Sequence, residues 1–277
     1  MDLQGFLQNL DILPHLSAFL LGMPRLFAVA LVAPFLGTGV LEGQIWFVLV
    51  LGLYLPMHPC VFAELTPALI LSMQIDPMVW LNFACVFVKE VVIGLGLGLL
   101  AGLPFWAIQD AGIYIDNQRG AAQSESTEIL TGKSASPMGG LLFECIVYLF
   151  YQSGAFLTFL GVIYASYLVW PVTQMLPLPT NYALPLYFAS KVAWLMTFTI
   201  LLSAPITVAC LLVDISLGLI NRFSPQLNAY VLAMPIKSGL AAVLLTLYLA
   251  LLLHFAQHLF QIIYIFINPL HNLILNT

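Results

Sequence analysis

His254 and His258 stand four residues apart in an apolar stretch, a spacing that sets two imidazoles on one helix face as metal binding requires. The residues between them, Phe255, Ala256 and Gln257, do not make an H-E-x-x-H motif. No Asp, Glu or Cys in that stretch completes a ligand set. The pair reads as histidines at a membrane boundary, and no metal is expected. The run Gly94-Leu95-Gly96-Leu97-Gly98 is dense enough in glycine for a phosphate-binding loop, but no Lys-Ser/Thr follows it and no soluble strand precedes it. No G-x-S-x-G nucleophile turn occurs. The four cysteines, Cys60, Cys85, Cys145 and Cys210, show neither C-x-x-C nor Cys/His spacing and read as small buried hydrophobes. Neither catalytic residues nor a cofactor are expected, and an enzyme is the weakest class.

Charge in apolar surroundings is the more informative chemistry. Arg25, Lys89, Glu90, Lys191 and Asp214 lie within or at the edges of apolar runs. A charge near a bilayer centre costs about 2.5–3.5 kcal/mol on insertion scales, so such groups pair, face a bundle interior or line a hydrated path. Lys89 and Glu90 are adjacent, point about 100° apart on a helix, and do not face each other, so each needs a partner elsewhere. The alternative is that they mark a turn between shorter helices and reach water. Gly94, Gly98 and Gly102 recur every fourth residue on one helix face, where missing side chains let another helix backbone approach closely.

The elements that position these residues follow from composition. Of 277 residues, 62% are hydrophobic and 7% charged. A soluble domain carries roughly 45–50% apolar and about 25% charged residues, so the surface here must be covered by lipid or by partner protein. Lys and Arg total 7 against 12 Asp and Glu, which leaves no basic patch for nucleic acid. The first five residues carry no positive charge and no small-residue cleavage site follows, so the first apolar segment is expected to remain as an anchor.

Apolar runs cover residues 12–36, 45–62, 78–108, 141–170, 182–220 and 238–267, with a stretch at 66–74 too short to span alone. These predict an all-α, polytopic helical membrane protein of about six long apolar helices in hairpins. A β-barrel would show alternation over short segments, and these runs are continuous. Residues 1–277 read as a single membrane domain. It is interrupted by a polar interval at 109–140 that holds Asp110, Asp116, Arg119, Glu125, Glu128 and Lys133 among several glycines. Such a stretch is expected to be loop. Within it Asp116 and Arg119 are three apart and able to pair. Further breaks fall at 171–185, rich in proline, and at 221–226. No internal repeat and no clear Lys/Arg asymmetry emerge.

Three stretches resemble the FliR/SpaR/YscT/HrcT family, the T-type export-apparatus subunits of bacterial type III secretion systems. The first runs from Lys89-Glu90 through Gly94, Gly96 and Gly98 to Pro104-Phe105-Trp106. The second is Gly112-Ile113-Tyr114-Ile115-Asp116-Asn117-Gln118-Arg119-Gly120, which is closest to the injectisome branch. The third is Asn221-Arg222-Phe223-Ser224-Pro225-Gln226-Leu227-Asn228 followed by Met234-Pro235-Ile236-Lys237. Arg25, Pro34 and Pro56 add weaker support.

The resemblance implies a non-catalytic core subunit of an export gate in the bacterial inner membrane. Its implied partners are sister membrane subunits of the SctR, SctS and SctU types, the lipid bilayer, and the unfolded protein substrates that pass through the shared channel. It implies that the loop from about 113 to 137 acts as a channel plug, with Ile115, Asp116, Asn117, Gln118, Arg119 and Gly120 at its start. Packing and pairing between helices or subunits is implied for Arg25, Lys89, Glu90, Gly94, Gly98, Gly102, Arg222, Pro225, Gln226, Asn228, Pro235 and Lys237. It further implies that some apolar helices are buried on sister subunits and do not cross lipid. At Leu41-Glu42-Gly43-Gln44-Ile45 the chain departs from the family, which places a basic residue there, so that charge contact is not carried over. The competing class is a secondary transporter of a small solute, which would show two related halves.

Overall fold

The structure, a computed structural model, describes residues 12–37, 43–70, 77–120, 136–173, 183–224 and 229–275. Among them every regular element is helical: α1 Ile12–Val32, α2 Gly43–Tyr54, α3 His58–Ile70, α4 Pro77–Arg119, α5 Pro137–Gln152, α6 Ala155–Val169, α7 Ala183–Phe223 and α8 Ala229–Leu275. A 3₁₀ turn, Leu55–Met57, joins α2 to α3.

Proline and glycine set most of the boundaries. Pro34 stops α1 and Pro171 stops the chain leaving α6, because neither ring can continue a hydrogen-bonded turn. Pro77 opens α4 and Pro137 opens α5 at first-turn positions that need no amide donor. Gly120, at φ +84°, takes the left-handed conformation that ends α4, and Gly154, at φ +74°, does the same for the break between α5 and α6. Pro24, Pro104 and Pro205 sit inside helices, so they do not divide α1, α4 or α7.

This architecture is that of an all-α polytopic membrane protein, but with fewer spans than expected. Among the described residues four helical segments are long and apolar enough to cross a membrane: His15–Val32, Gly43–Glu64, Leu81–Arg119 and Leu184–Phe223. The broken pair Pro137–Gln152 and Ala155–Val169 makes a fifth if it counts as one span. The run at 141–170 is cut at Ser153–Gly154, and in α8 the apolar part is Val231–Leu247 among the residues whose side chains are described. At 1.5 Å per residue the 43 residues of α4 trace about 65 Å, over twice the hydrocarbon thickness of about 30 Å.

Much of the expected loop at 109–140 is helix among the described residues. Residues 109–119 continue α4 and 137–140 belong to α5, while residues 121–135 lie outside those described. Apolar Ile113, Ile115 and the small Ala111 and Gly112 carry the helix past its last fully apolar turn, and their spacing gives it a buried face. Likewise α7 runs through Arg222 to Phe223, where a break was expected from Asn221.

Contacts divide the chain into two compact units: Met1–Gly102 with Phe156–Leu186 and Ile263–Thr277, and Leu103–Ala155 with Tyr187–Ile262. In the first, three tyrosine hydroxyls tie helices together by donating to backbone carbonyls: Tyr54 to Ala18, Tyr164 to Leu53 and Tyr167 to Gly22, at 2.7–2.9 Å. In apolar surroundings such bonds stabilise packing that has no hydrophobic gradient behind it. In the second, Phe150 meets Phe105 and Phe260 edge to face, and Ile115 packs among Ile206, Cys210, Ala241 and Leu245. Of the four cysteines expected to be buried, Cys210 is, used there as a small apolar residue, while Cys60 and Cys85 are exposed on the chain and Cys145 is half-buried.

Candidate functional site

Two polar clusters stand out, one in each unit. The first begins with Arg25 on α1, fully buried. Its Nε donates to Glu90 Oε2 at 2.7 Å and its Nη2 to Glu90 Oε1 at 3.0 Å, a forked pairing that suits a planar guanidinium. Nη1 donates to Ser166 Oγ at 3.1 Å, and Nη2 also to the Trp170 carbonyl at 2.8 Å. The ring of Tyr167 lies 4.3 Å below the guanidinium carbon.

Lys89 completes the cluster. Its Nζ lies 2.8 Å from Glu90 Oε1 and donates to the carbonyls of Pro171 and Val172 at 3.0 and 2.9 Å. This corrects the expectation that adjacent residues on one helix cannot meet. The flexible lysine stem folds across the turn, because burial leaves its ammonium few other acceptors. The alternative of a water-exposed turn at 89–90 is also excluded, since α4 is continuous there and both side chains are buried. The carbonyls of Trp170, Pro171 and Val172, just past the C-terminal end of α6, turn their partial negative charge toward the two cations.

The glycine face of α4 sits against α1. A Cβ on Gly94 would collide with the Arg25 carbonyl and lie 2.8 Å from Ala28 Cβ. One on Gly98 would lie 2.9 Å from the Val29 carbonyl oxygen. The neighbour these glycines admit is thus a helix of the same chain, and it is the helix that delivers Arg25 to Glu90. Gly102, the third glycine of the face, is buried.

The second cluster is built at the end of α4. Asp116 is 1% exposed. Its Oδ1 accepts from Arg119 Nε at 2.8 Å and lies 2.7 Å from Arg119 Nη2. Its Oδ2 accepts from Ser136 Oγ at 2.7 Å and from the Met138 amide at 2.9 Å. Ser136 is the N-cap of α5, and its hydroxyl accepts from the Gly139 amide at 3.1 Å. Asp116 therefore supplies α5 with a second cap from another helix, placing a carboxylate where the helix dipole favours it.

Beside it the two backbones touch. A Cβ on Gly112 would lie 2.6 Å from Gly139 Cα, and one on Gly139 would lie 2.8 Å from Ile113 Cγ1. The polar interval thus starts and ends at a single clasp. On the far side Lys237 of α8 pairs with Asp214 of α7 at 2.5 Å and donates to the Gln118 carbonyl at 3.4 Å.

The residues expected to start a plug, Ile115, Asp116, Asn117, Gln118 and Arg119, are the last turns of a helix, and Gly120 is its cap. Arg222 and Pro235 are exposed on α7 and α8, while Pro225, Gln226 and Asn228 lie outside the described residues. Lys191 lies 4.7 Å from the Tyr187 ring centroid, apart from either cluster. Sequence reasoning missed Ser136, Ser166, Tyr167 and the Gly112/Gly139 contact. Only Ser136 carried a signal, the Ser-Pro pair that marks an N-cap followed by a first-turn proline. Among the described residues no three His, Cys, Asp or Glu side chains gather as metal ligands.

The fold and its buried, engaged charges define an all-α polytopic membrane protein. The chain belongs to the bacterial export proteins, family 1, whose pattern it matches over residues 16–263, and which includes the FliR, SpaR and YscT proteins. It is similar to the Yop proteins translocation protein T of Yersinia pestis, with 39% identity over 160 residues, 58% of this chain and 61% of that protein. It is 34% identical over 233 residues to the surface presentation of antigens protein SpaR of Salmonella typhimurium, 82% of this chain and 81% of that protein. Identity falls to 26% over 191 residues, 69% of this chain and 72% of that protein, with the flagellar biosynthetic protein FliR of Bacillus subtilis.

Proposed function

We propose that the chain is a non-catalytic core subunit of a type III secretion export gate in the bacterial inner membrane. With sister helical subunits of the SctR, SctS and SctU types it forms the channel for unfolded protein substrates. Relatives named for translocation, secretion apparatus and flagellar biosynthesis support an export role. One observation carries the gate reading: the polar interval that would plug the channel is bracketed by two helix ends clasped at Asp116.

A gate must pass chains yet hold back ions, so its closed state needs an obstruction that yields while its anchors stay fixed. The clasp, the glycine contact beside it and the left-handed cap at Gly120 fix the anchors. The rest of the proposed plug, 121–135, lies outside the described residues. Burial supports partners too. Only 28% of the 184–223 span is buried within the chain, with Leu201, Leu211, Leu212 and Leu219 exposed, so lipid or sister helices must cover it. A small-solute transporter is not favoured, because Arg25, Lys89 and Glu90 are buried and engaged with one another and with backbone carbonyls.

Shortening the interval within 121–131 is expected to raise ion leak through the assembled gate in proteoliposomes while partners still co-purify. Lost assembly with unchanged leak would make the segment a scaffold element instead.

A further inference from the structure

The Lys237 ammonium serves two helices at once, and neither service alone explains its place. Ile206 and Cys210 of α7 share a core with Ala241 and Leu245 of α8. Asp214 lies one turn beyond Cys210 and Lys237 one turn before Ala241, so the two helices run antiparallel and the ion pair closes the same seam. Asp214 is 46% exposed while Lys237 is 14% exposed. An exposed pair of this kind adds little by itself. The third partner, the Gln118 carbonyl, is among the last of α4, where carbonyls lack amide donors and a cation is favoured. Met234, one turn before Lys237, also packs its side chain toward Gly120.

We infer that Lys237 is a positioning residue that ties the antiparallel pair α7 and α8 to the C-terminal end of α4. The inference rests on the gate reading for its consequence, since the helix end it holds is the proposed anchor of the plug. Asp116 fixes the end of α4 to the start of α5. Ile115 and Met234 give that end apolar contacts with α7 and α8, and Lys237 adds the polar tie that meets Asp214 and the Gln118 carbonyl together.

The test uses the full chain in its assembled complex. Lys237→Met keeps the apolar stem and removes the donor. Hydrogen exchange of the amides at 115–120 should become about three- to tenfold faster, with partners still co-purifying. The double variant Asp214→Lys with Lys237→Asp restores an ion pair between α7 and α8 but leaves the Gln118 carbonyl without an ammonium at position 237. Exchange should stay fast in it. Unchanged exchange in Lys237→Met, or full protection in the swapped pair, would overturn the tie. Should Lys237→Met fail to assemble, Asp214→Asn decides: it keeps the ammonium on the carbonyl, so protection should hold within about twofold, and its loss would overturn the inference. Fast exchange in Lys237→Met together with no leak from the loop-shortened chain would keep the tie and refute the plug.

Discussion

Helix α4 carries a charged cluster in each unit, and the two are built to opposite specifications. Around Glu90 every charge is buried, and the acceptors left over are backbone carbonyls past the end of α6. Around Asp116 one carboxylate is buried, but the charges near that helix end shade outward: its partner Arg119 and the neighbouring Lys237 are each 14% exposed, and Asp214, the partner of Lys237, nearly half. The first joins α1, α4 and the chain after α6 through charges with nowhere else to go. The second joins helix ends beside a polar interval, with water or a partner within reach of its rim. Buried charge that is fully engaged makes a frame; charge graded toward a surface makes a fastening that can be adjusted.

The sharpest way to break this contrast is Glu90→Ala. It strands two buried cations and should cost about 3–5 kcal/mol, as removing one partner of a buried ion pair does. The yield of folded chain in detergent should collapse, with Glu90→Gln intermediate because it keeps the shape and some acceptors. A normal yield for Glu90→Ala would mean that the frame does not depend on this cluster.

Next in size is Gly98→Leu, which forces α1 off α4 and should cost about 1–3 kcal/mol by overpacking. Because the contact lies within the chain, loss of stability should appear before any partner is added. A stable chain that fails only in co-purification would instead put a sister subunit on that face.

The smallest effect belongs to Asp116→Asn, which keeps the shape but turns one acceptor oxygen into a donor. With the amide turned toward Arg119, which reaches the rim, the loss is about 1 kcal/mol. Expression and assembly should survive, while proteolysis within 120–136 should speed up severalfold. If Asp116→Asn matched Glu90→Ala in yield, the two clusters would be equivalent and the distinction between frame and fastening would fall.

The clusters were unequally legible in the sequence. Arg25, Lys89 and Glu90 announce themselves because a charge in an apolar run demands a partner, whatever the fold. Which partner it finds is a matter of tertiary approach, and the rule that neighbours on a helix point apart failed at Lys89–Glu90 because a long side chain can fold back when burial removes its alternatives. At the polar interval the error ran the other way. Polar composition suggested loop from Gln109, yet one small, apolar face through Ala111, Gly112 and Ile115 was enough to continue the helix once α5, α7 and α8 were there to cover it. Three glycines of that interval have definite contacts or conformations: Gly112 and Gly139 admit backbone contact, and Gly120 ends a helix.

The sequence by itself determined the solvent, the helical class and the need for internal partners. An apolar chain with few charges must satisfy its backbone within helices and its charges within the bundle. It also carried the motifs that placed the chain among bacterial export proteins. Only the tertiary structure decided that Asp116 caps α5, that the glycine face of α4 receives α1, and that Lys237 bridges Asp214 to the end of α4. Each of these joins residues far apart along the chain, and local periodicity holds no information about which distant donor or backbone will arrive at a given face.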